Sequence, residues 1–424
     1  ALGSPLNIPK TQNQDSCLLI RVKIKSNLCL TLTTLTLDLD FRLTIIDLLL
    51  VAIVVFYILI FLDILGLADS LYNLLQVWLS SDLLPENGPV ETIDEEDEFD
   101  ETSSTTPNSE MFELTASVLN TTIRRLKRDS TPGWDGWTFQ LIRQLYEEQD
   151  INDETPSLNA QLLIKFIKFG LAGSLPLHKL WNVSKMILIP EWKAASSSWK
   201  YRPIAIGASW YRLLGKSALY VIGDSVGRKL APLQFAVGIP DGISIAASLL
   251  QNFRNDDENA ILSIDLSNAF NSIRRSKIYE GLKQFAPQLL PFFKWSYAEQ
   301  TQLRSSTGTL CGHAATGTRQ GDPLSMLYFA VGIHPLIEKL SGKITQLNPE
   351  RNFLQSYADD ISLCIEKCHL GRAWKHIAEV FPIDTGGENG ITTTADTDFE
   401  SIGLAVNPAK CFAILSEVEL LRNE

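Results

Sequence analysis

Apolar residues recur along this chain at two spacings, and the change from one to the other marks its elements. Leu114, Val118, Ile123 and Leu126 fall at helical intervals and predict an amphipathic helix. Phe139 to Tyr146, Ala160 to Phe169 and Ser209 to Ile222 read the same way. Short apolar runs predict strands at Val183 to Pro190 and at Tyr201 to Ile206, after a polar, serine-rich turn. Pro132-Gly133-Trp134-Asp135-Gly136 is a turn cluster. Ala260-Ile261-Leu262-Ser263-Ile264 predicts a strand that ends at Asp265, followed by a helix with Ile278, Leu282 and Phe285 on one face. Phe353-Leu354 and Ile361-Ser362-Leu363-Cys364-Ile365 predict two strands joined by an acidic tip. Residues from about 111 onward therefore form a mixed α/β (α+β) region, with no internal repeat.

The N-terminal quarter is built differently. Residues 43–80 are strongly apolar, and Leu48 to Leu62 is free of charge. That stretch is shorter than the roughly 20 residues that cross a bilayer, although 44–62 would do so if Asp47 were admitted. Lys10, Arg21, Lys23, Lys25 and Arg42 precede it and acids follow it, the pattern of a membrane segment with a cytoplasmic N-terminus; the alternatives are a helix packed in a core or a stretch that does not fold. Residues 84–110 contain Asp94-Glu95-Glu96-Asp97-Glu98 and then a Ser/Thr/Pro stretch, which predicts a solvated, disordered linker.

Charge and cysteine content alter this picture only slightly. Residues 1–110 hold 5 basic and 17 acidic side chains and account for the whole net charge of -12; the rest is balanced at 32 of each sign. The acidity therefore does not argue against a nucleic-acid-binding body, which would need local Lys/Arg patches. The six cysteines show no CxxC pair, so reduced thiols are expected. Cys364, Cys368 and His369 form a loose cluster, but no second ligand pair lies at zinc-finger spacing.

Chemistry concentrates at three places. Asp265 ends an apolar strand, and Asp359-Asp360 sits between two more. Bare acids at the ends of apolar strands are costly unless neutralised. Two divalent cations, about 3.5–4 Å apart in phosphoryl-transfer sites, would neutralise them. The third place is Arg319-Gln320-Gly321-Asp322-Pro323-Leu324-Ser325, where Asp322 can cap a helix and Pro323 suits its first turn. Singly, each has an ordinary explanation as a cap or a turn.

Together the segments resemble the reverse transcriptases of non-LTR (LINE-like) retrotransposons. Asp265 to Phe270 resembles the first catalytic motif, Thr316 to Ser325 the template- and nucleotide-contacting motif, and Tyr357 to Asp360 the [YF]-x-D-D box. Gly403 to Cys411 resembles the following motif with its lysine, Tyr201 to Ile206 the fingers motif, and Pro132 to Gly136 the N-terminal extension of the non-LTR group. Six motifs in family order over about 111–415 are specific where one would be weak.

The resemblance implies a right-hand polymerase with fingers and palm, the palm an antiparallel sheet backed by helices. Residues 111–255 would hold the N-terminal extension and fingers, and 256–424 the palm; 1–83 match nothing in the family. Asp265 and Asp359 would bind two Mg²⁺ ions (Mn²⁺ being a substitute), with Asp360 beside them and the Ile264 carbonyl assisting. Phe270 would select dNTPs by excluding a ribose 2′-hydroxyl. Arg202 and Lys185 would grip the triphosphate, and Gln320 and Gly321 would position the nascent base pair. Tyr357, Ala358 and Arg319 would contact template and primer, and Lys410 would give a proton to pyrophosphate. The implied partners are an RNA template, a DNA primer and dNTP, in the nucleus; no protein partner is inferable. The chain ends at Glu424, 13 residues after Cys411, where the family's thumb should follow. Phe381 to Asp398 looks like an insertion. An inactive, truncated relic of such an element is therefore the alternative to an active polymerase, and a small membrane-anchored protein is a third reading.

Overall fold

The computed structural model describes residues 112–146, 157–176, 178–193, 198–384, 391–392 and 402–415. The apolar stretch expected as a membrane or core helix at 44–62, the acidic linker, and the segment 385–390 lie outside the described residues. Among the described residues no helix is long and apolar enough to cross a membrane.

Three of the first helices start on a hydroxyl. α1 (Ala116–Arg124) begins where Thr115 accepts from the Val118 amide, α2 (Phe139–Leu145) where Thr138 accepts from Leu141, and α3 (Leu158–Leu171) where Ser157 accepts from Ala160. Each hydroxyl satisfies one of the amides that a helix start leaves without a partner. After the short α4 (His178–Trp181) come β1 (Val183–Lys193) and β2 (Ser198–Gly207), then α5 (Ser209–Leu230) and α6 (Gly242–Arg254). Next are β3 (Asn259–Ile264), the one-turn α7 (Ala269–Ser272), α8 (Arg275–Phe285) and α9 (Leu290–Tyr297). β4 (Thr301–Arg304) and β5 (Leu310–Ala314) precede α10 (Ser325–Leu347). β6 (Phe353–Tyr357), β7 (Asp360–Glu366), α11 (Leu370–Ala378), β8 (Ile383–Asp384), β9 (Ile391–Thr392) and β10 (Phe412–Leu415) complete the order.

Two four-stranded sheets result. The first runs β2-β1-β4-β5, with β1 antiparallel to β2 and parallel to β4. Its β1–β2 hairpin is an arm whose Leu188, Ile189, Trp192, Trp199 and Tyr201 are exposed. The second sheet, β10-β3-β7-β6, is antiparallel throughout. Its central strands bury Ile261, Ile264, Ile361, Leu363 and Ile365, near-continuous apolar runs as covered strands require. α6 packs on β3 and β6, α10 packs on β6, and α8 lies along α10. This is the helix-backed antiparallel sheet expected of the fold.

One expected helix start is displaced. α10 begins at Ser325 behind Leu324, so Asp322 and Pro323 are neither its cap nor its first turn. Asp322 Oδ1 accepts from the Leu324 amide at 2.9 Å and closes the preceding turn, while Oδ2 serves a buried network.

Candidate active site

Strand register assembles the acids. β3 and β7 run antiparallel with Ile264 paired to Ile361, so Asp265 leaves one strand where Asp360 enters the other. Tyr357 pairs with Asp360, which leaves Ala358 and Asp359 as a two-residue hairpin turn. Ala358 has φ +57 and Asp359 does not share that hand, the pattern of a turn whose first position is ordinarily glycine. Asp265 thus meets the adjacent Asp359 and Asp360, 94 and 95 residues further along the chain, at one end of the palm sheet.

Their charges are felt. Burial, then the neighbouring Asp360 and Asp265, push the Asp359 carboxyl above the usual carboxylate range; Arg202 pulls it back. Burial and Asp265 likewise raise Asp360. Lys410, on the turn just before β10, places Nζ 2.8 Å from Asp265 Oδ1. The main chain of Asp265 is held from the same turn: Asn407 N donates to its carbonyl at 2.9 Å, and its own amide donates to Cys411 Sγ at 3.4 Å. An all-oxygen donor set under mutual repulsion, already drawing one ammonium, fits a hard divalent cation. Ile264, expected to lend a carbonyl, is the last residue of β3 and belongs to the sheet ladder.

Around this end lie the other expected residues. Phe270 is half-buried and stacked on Phe329 of α10, with centroids 4.6 Å apart, and its carbonyl accepts from the Thr318 amide at 2.7 Å. On the β1–β2 arm, Lys185 pairs with Ile206 and Arg202 with Ile189, so both project from one face. Arg202 is near enough to draw the Asp359 carboxyl downward, and its guanidinium lies 3.5 Å from Glu191 Oε2. Gln320 ties the arm down, since its carbonyl accepts from the Ala205 amide at 2.7 Å. Gly321 has φ +116, and a Cβ there would stand 2.6 Å from the Ala205 carbonyl, so no larger residue fits the junction. Gln320 Oε1 is buried without a partner.

Arg319 and Ala358 are placed otherwise than expected. Arg319 is 4% exposed and faces no solvent-filled groove. Its guanidinium lies between the Tyr211 and Tyr297 rings, 4.8 and 4.3 Å from their centroids. One nitrogen donates to Asn182 Oδ1 and Thr301 Oγ1, the other to Tyr211 and, at 3.1 Å, to Asp322 Oδ2. Tyr211 and Tyr297 also donate to Asp322 Oδ2, and burial holds both phenols protonated far above their ordinary range. A buried arginine needs such partners, and both terminal nitrogens of Arg319 are engaged within this network, while Nε is buried without a partner. Ala358 is 5% exposed, with both backbone polar groups bonded to Gln234, so its main chain is occupied in holding the turn. Tyr357, half-buried, ends β6 beside it.

The Cys364–Cys368–His369 cluster does not assemble. Cys364 is buried in β7 and its thiol is pushed up to about 12, whereas a metal needs the thiolate. Glu366, Cys368 and His369 do converge. Even so, Glu366 is engaged by Arg351 and Asn348, and His369 Nδ1 by Asn352.

Sequence reading passed over Gln234, Tyr211, Tyr297 and Asp135. Gln234 carried one legible signal, being a lone amide in the apolar run Leu233-Gln234-Phe235-Ala236-Val237. Asp135 of the early turn cluster accepts from the Ser209 amide at 2.7 Å and so caps α5 from 74 residues away.

Residues 193–421, just over half of the chain, match the family described as reverse transcriptase (RNA-dependent DNA polymerase). The chain is 27% identical over 58% of its length to the retrotransposable element SLACS 132 kDa protein of Trypanosoma brucei gambiense. It is 24% identical over 59% to the transposon TX1 uncharacterized 149 kDa protein of Xenopus laevis. It is also 24% identical over 68% to the retrovirus-related Pol polyprotein from type-2 retrotransposable element R2DM of Drosophila melanogaster. It spans between 19 and 25% of the length of these curated relatives. Members of the family work with divalent metal on nucleic-acid template, primer and nucleotides. With a helix-backed antiparallel sheet, three acids gathered at its end, and this match over most of both sheets, the chain belongs to the reverse transcriptase (RNA-dependent DNA polymerase) family.

Proposed function

We propose that this chain extends a DNA primer on an RNA template by nucleotidyl transfer from dNTP. The observation that carries the reading is the convergence of Asp265, Asp359 and Asp360 at the register point where β3 ends and β7 begins. Asp265 and Asp359 would hold two Mg²⁺ ions, or Mn²⁺, with Asp360 flanking. When bound, the ions supply activation of the primer 3′-hydroxyl and neutralisation of the leaving pyrophosphate.

The chain's own residues do the remaining work. Arg202 and Lys185 reach from one face of the β1–β2 arm toward the triphosphate, and the planar guanidinium suits bidentate phosphate contact. Phe270, braced by Phe329, sets a wall against the sugar. Gln320 offers its buried, unpartnered side-chain Oε1 beside Gly321, where the nascent base pair would sit. Lys410 holds a proton next to Asp265 and can deliver it to pyrophosphate. Residues 111–255 then serve as extension and fingers and 256–424 as palm, with copying at a chromosomal target placing the protein in the nucleus.

The test is primer extension on poly(rA)/oligo(dT) with Mg²⁺, using the full chain beside its Asp359→Asn, Asp360→Asn double variant. Extension by the parent alone supports the reading. No extension by either folded protein would instead identify a relic that keeps the palm without its activity.

A further inference from the structure

The turn that carries Asp359 is held by a residue outside the six segments named above. β6 is the edge strand of the palm sheet, and the segment Leu233–Ala236 lies along that edge, Gln234 bridging Ser356 in parallel fashion. Ser356 N donates to the Leu233 carbonyl at 2.7 Å, and Phe235 N donates to the Ser356 carbonyl at 3.0 Å. Two residues further on, the chain turns at Ala358, and the backbone of the segment no longer reaches it. The Gln234 side chain does. Its Oε1 accepts from Ala358 N at 2.8 Å, and its Nε2 donates to the Ala358 carbonyl at 3.1 Å. Nε2 also donates to Ser356 Oγ at 3.1 Å, and Oε1 accepts from Ala236 N at 3.0 Å.

The primary amide thus substitutes for one peptide group and adds a rung to the sheet beyond the end of the strand. Only an amide offers donor and acceptor together in that geometry. The position matters because Ala358 is a non-glycine residue at φ +57, a conformation that persists only when its surroundings impose it. Asp359 follows directly. Gln234 is itself fixed: it is 1% exposed, and its segment is pressed onto α5, where a Cβ on Gly238 (φ +62) would stand 1.9 Å from the Gly223 carbonyl.

We infer that Gln234 is a positioning residue for catalysis, clamping the Ala358 peptide groups so that the Asp359 carboxylate is held ready for divalent metal. This inference rests on the functional reading above. It acts through Ala358 and touches no substrate.

The test uses the full chain and Mn²⁺ as probe, with binding followed by electron paramagnetic resonance. Gln234→Met keeps the volume and loses all four bonds; Gln234→Asn keeps the amide but not its reach, and serves if the methionine variant does not fold. Expected for both are Mn²⁺ binding weakened about tenfold or more and primer extension slowed about 10²-fold. The dNTP KM should stay within about twofold, because a positioning loss falls on the chemical step. Hydrogen exchange at the Ala358 amide should accelerate. Leu340→Ala, a fully buried change on α10, controls for general loosening and should leave Mn²⁺ affinity alone. Gln234 variants that bind and extend like the parent would overturn the inference, as would a Leu340→Ala variant that loses Mn²⁺ affinity equally. Parent binding that is indifferent to Asp359→Asn would instead overturn the site assignment itself.

Discussion

Lys410 and Asp265 stand 145 residues apart in sequence and 2.8 Å apart in space, Nζ to Oδ1. The ammonium already occupies one oxygen of the carboxylate that would take a cation. Both side chains are substantially exposed, so the pair adds little to stability. Its consequence is competition, since a metal ion and the lysine would share one carboxylate.

Lys410→Met should therefore tighten Mn²⁺ binding by roughly two- to fivefold, the scale of an exposed pair. The same variant should slow primer extension by about 10²-fold if the lysine gives its proton to pyrophosphate. Tighter metal with unchanged turnover would leave Lys410 a counter-ion only; unchanged metal affinity would remove it from the site.

Asp265→Asn and Asp359→Asn should each reduce extension by about 10³-fold or more, the cost of losing an electrostatic stabiliser of the transferring phosphoryl group. Asp359→Asn should not lower the melting temperature, because burial and the neighbouring acids disfavour that carboxylate in the free protein. A stabilised, inactive variant is the expected phenotype. Retained extension after Asp359→Asn would exclude the assigned site.

Arg319→Met strips the partner from a buried Asp322 and should cost about 3–5 kcal/mol. Arg319→Lys should fail to restore the loss, because one ammonium cannot reach Tyr211, Asp322, Asn182 and Thr301 together. Adding Asp322→Asn to Arg319→Met should recover part of the stability, a coupling that a thermal double-mutant cycle measures. An Arg319 variant of normal stability that binds template more weakly would return the residue to the template groove.

Asp135 gives the fold a pH dependence. Burial, opposed by the Ser209 and Trp210 amides, pushes its carboxyl up from 3.8 to about 6. A raised acid stabilises the folded state fully below its ordinary value, and that contribution disappears as pH climbs from about 4 through about 6, a loss of about 3 kcal/mol at most. Asp135→Asn imitates the neutral acid. Its melting temperature should match the parent's near pH 4 and exceed it above pH 6; a gap of constant size across that range would contradict the assignment.

Much of this protein is set by its sequence alone. Periodicity located the helices at Ala160 to Phe169 and Ser209 to Ile222 and the strands at Val183, Tyr201 and Ala260, because an amphipathic face is a local pattern that any packing must respect. The acids were legible for a related reason: a charge at the end of an apolar strand stands out before any fold is known. What lay beyond reading was which partner each polar group finds. Arg319 stands beside Gln320 in the chain, yet lies buried in the tyrosine network around Asp322. Asp322 looked like a helix cap until the helix began three residues later. Gln234 lies outside the six motif segments, and becomes the last rung of the palm sheet only because α5 and β6 bring its segment to Ala358. Local pattern determines which face of an element is buried. Tertiary packing alone decides which buried donors and acceptors meet, since those pairings join residues that the sequence separates by tens to more than a hundred positions.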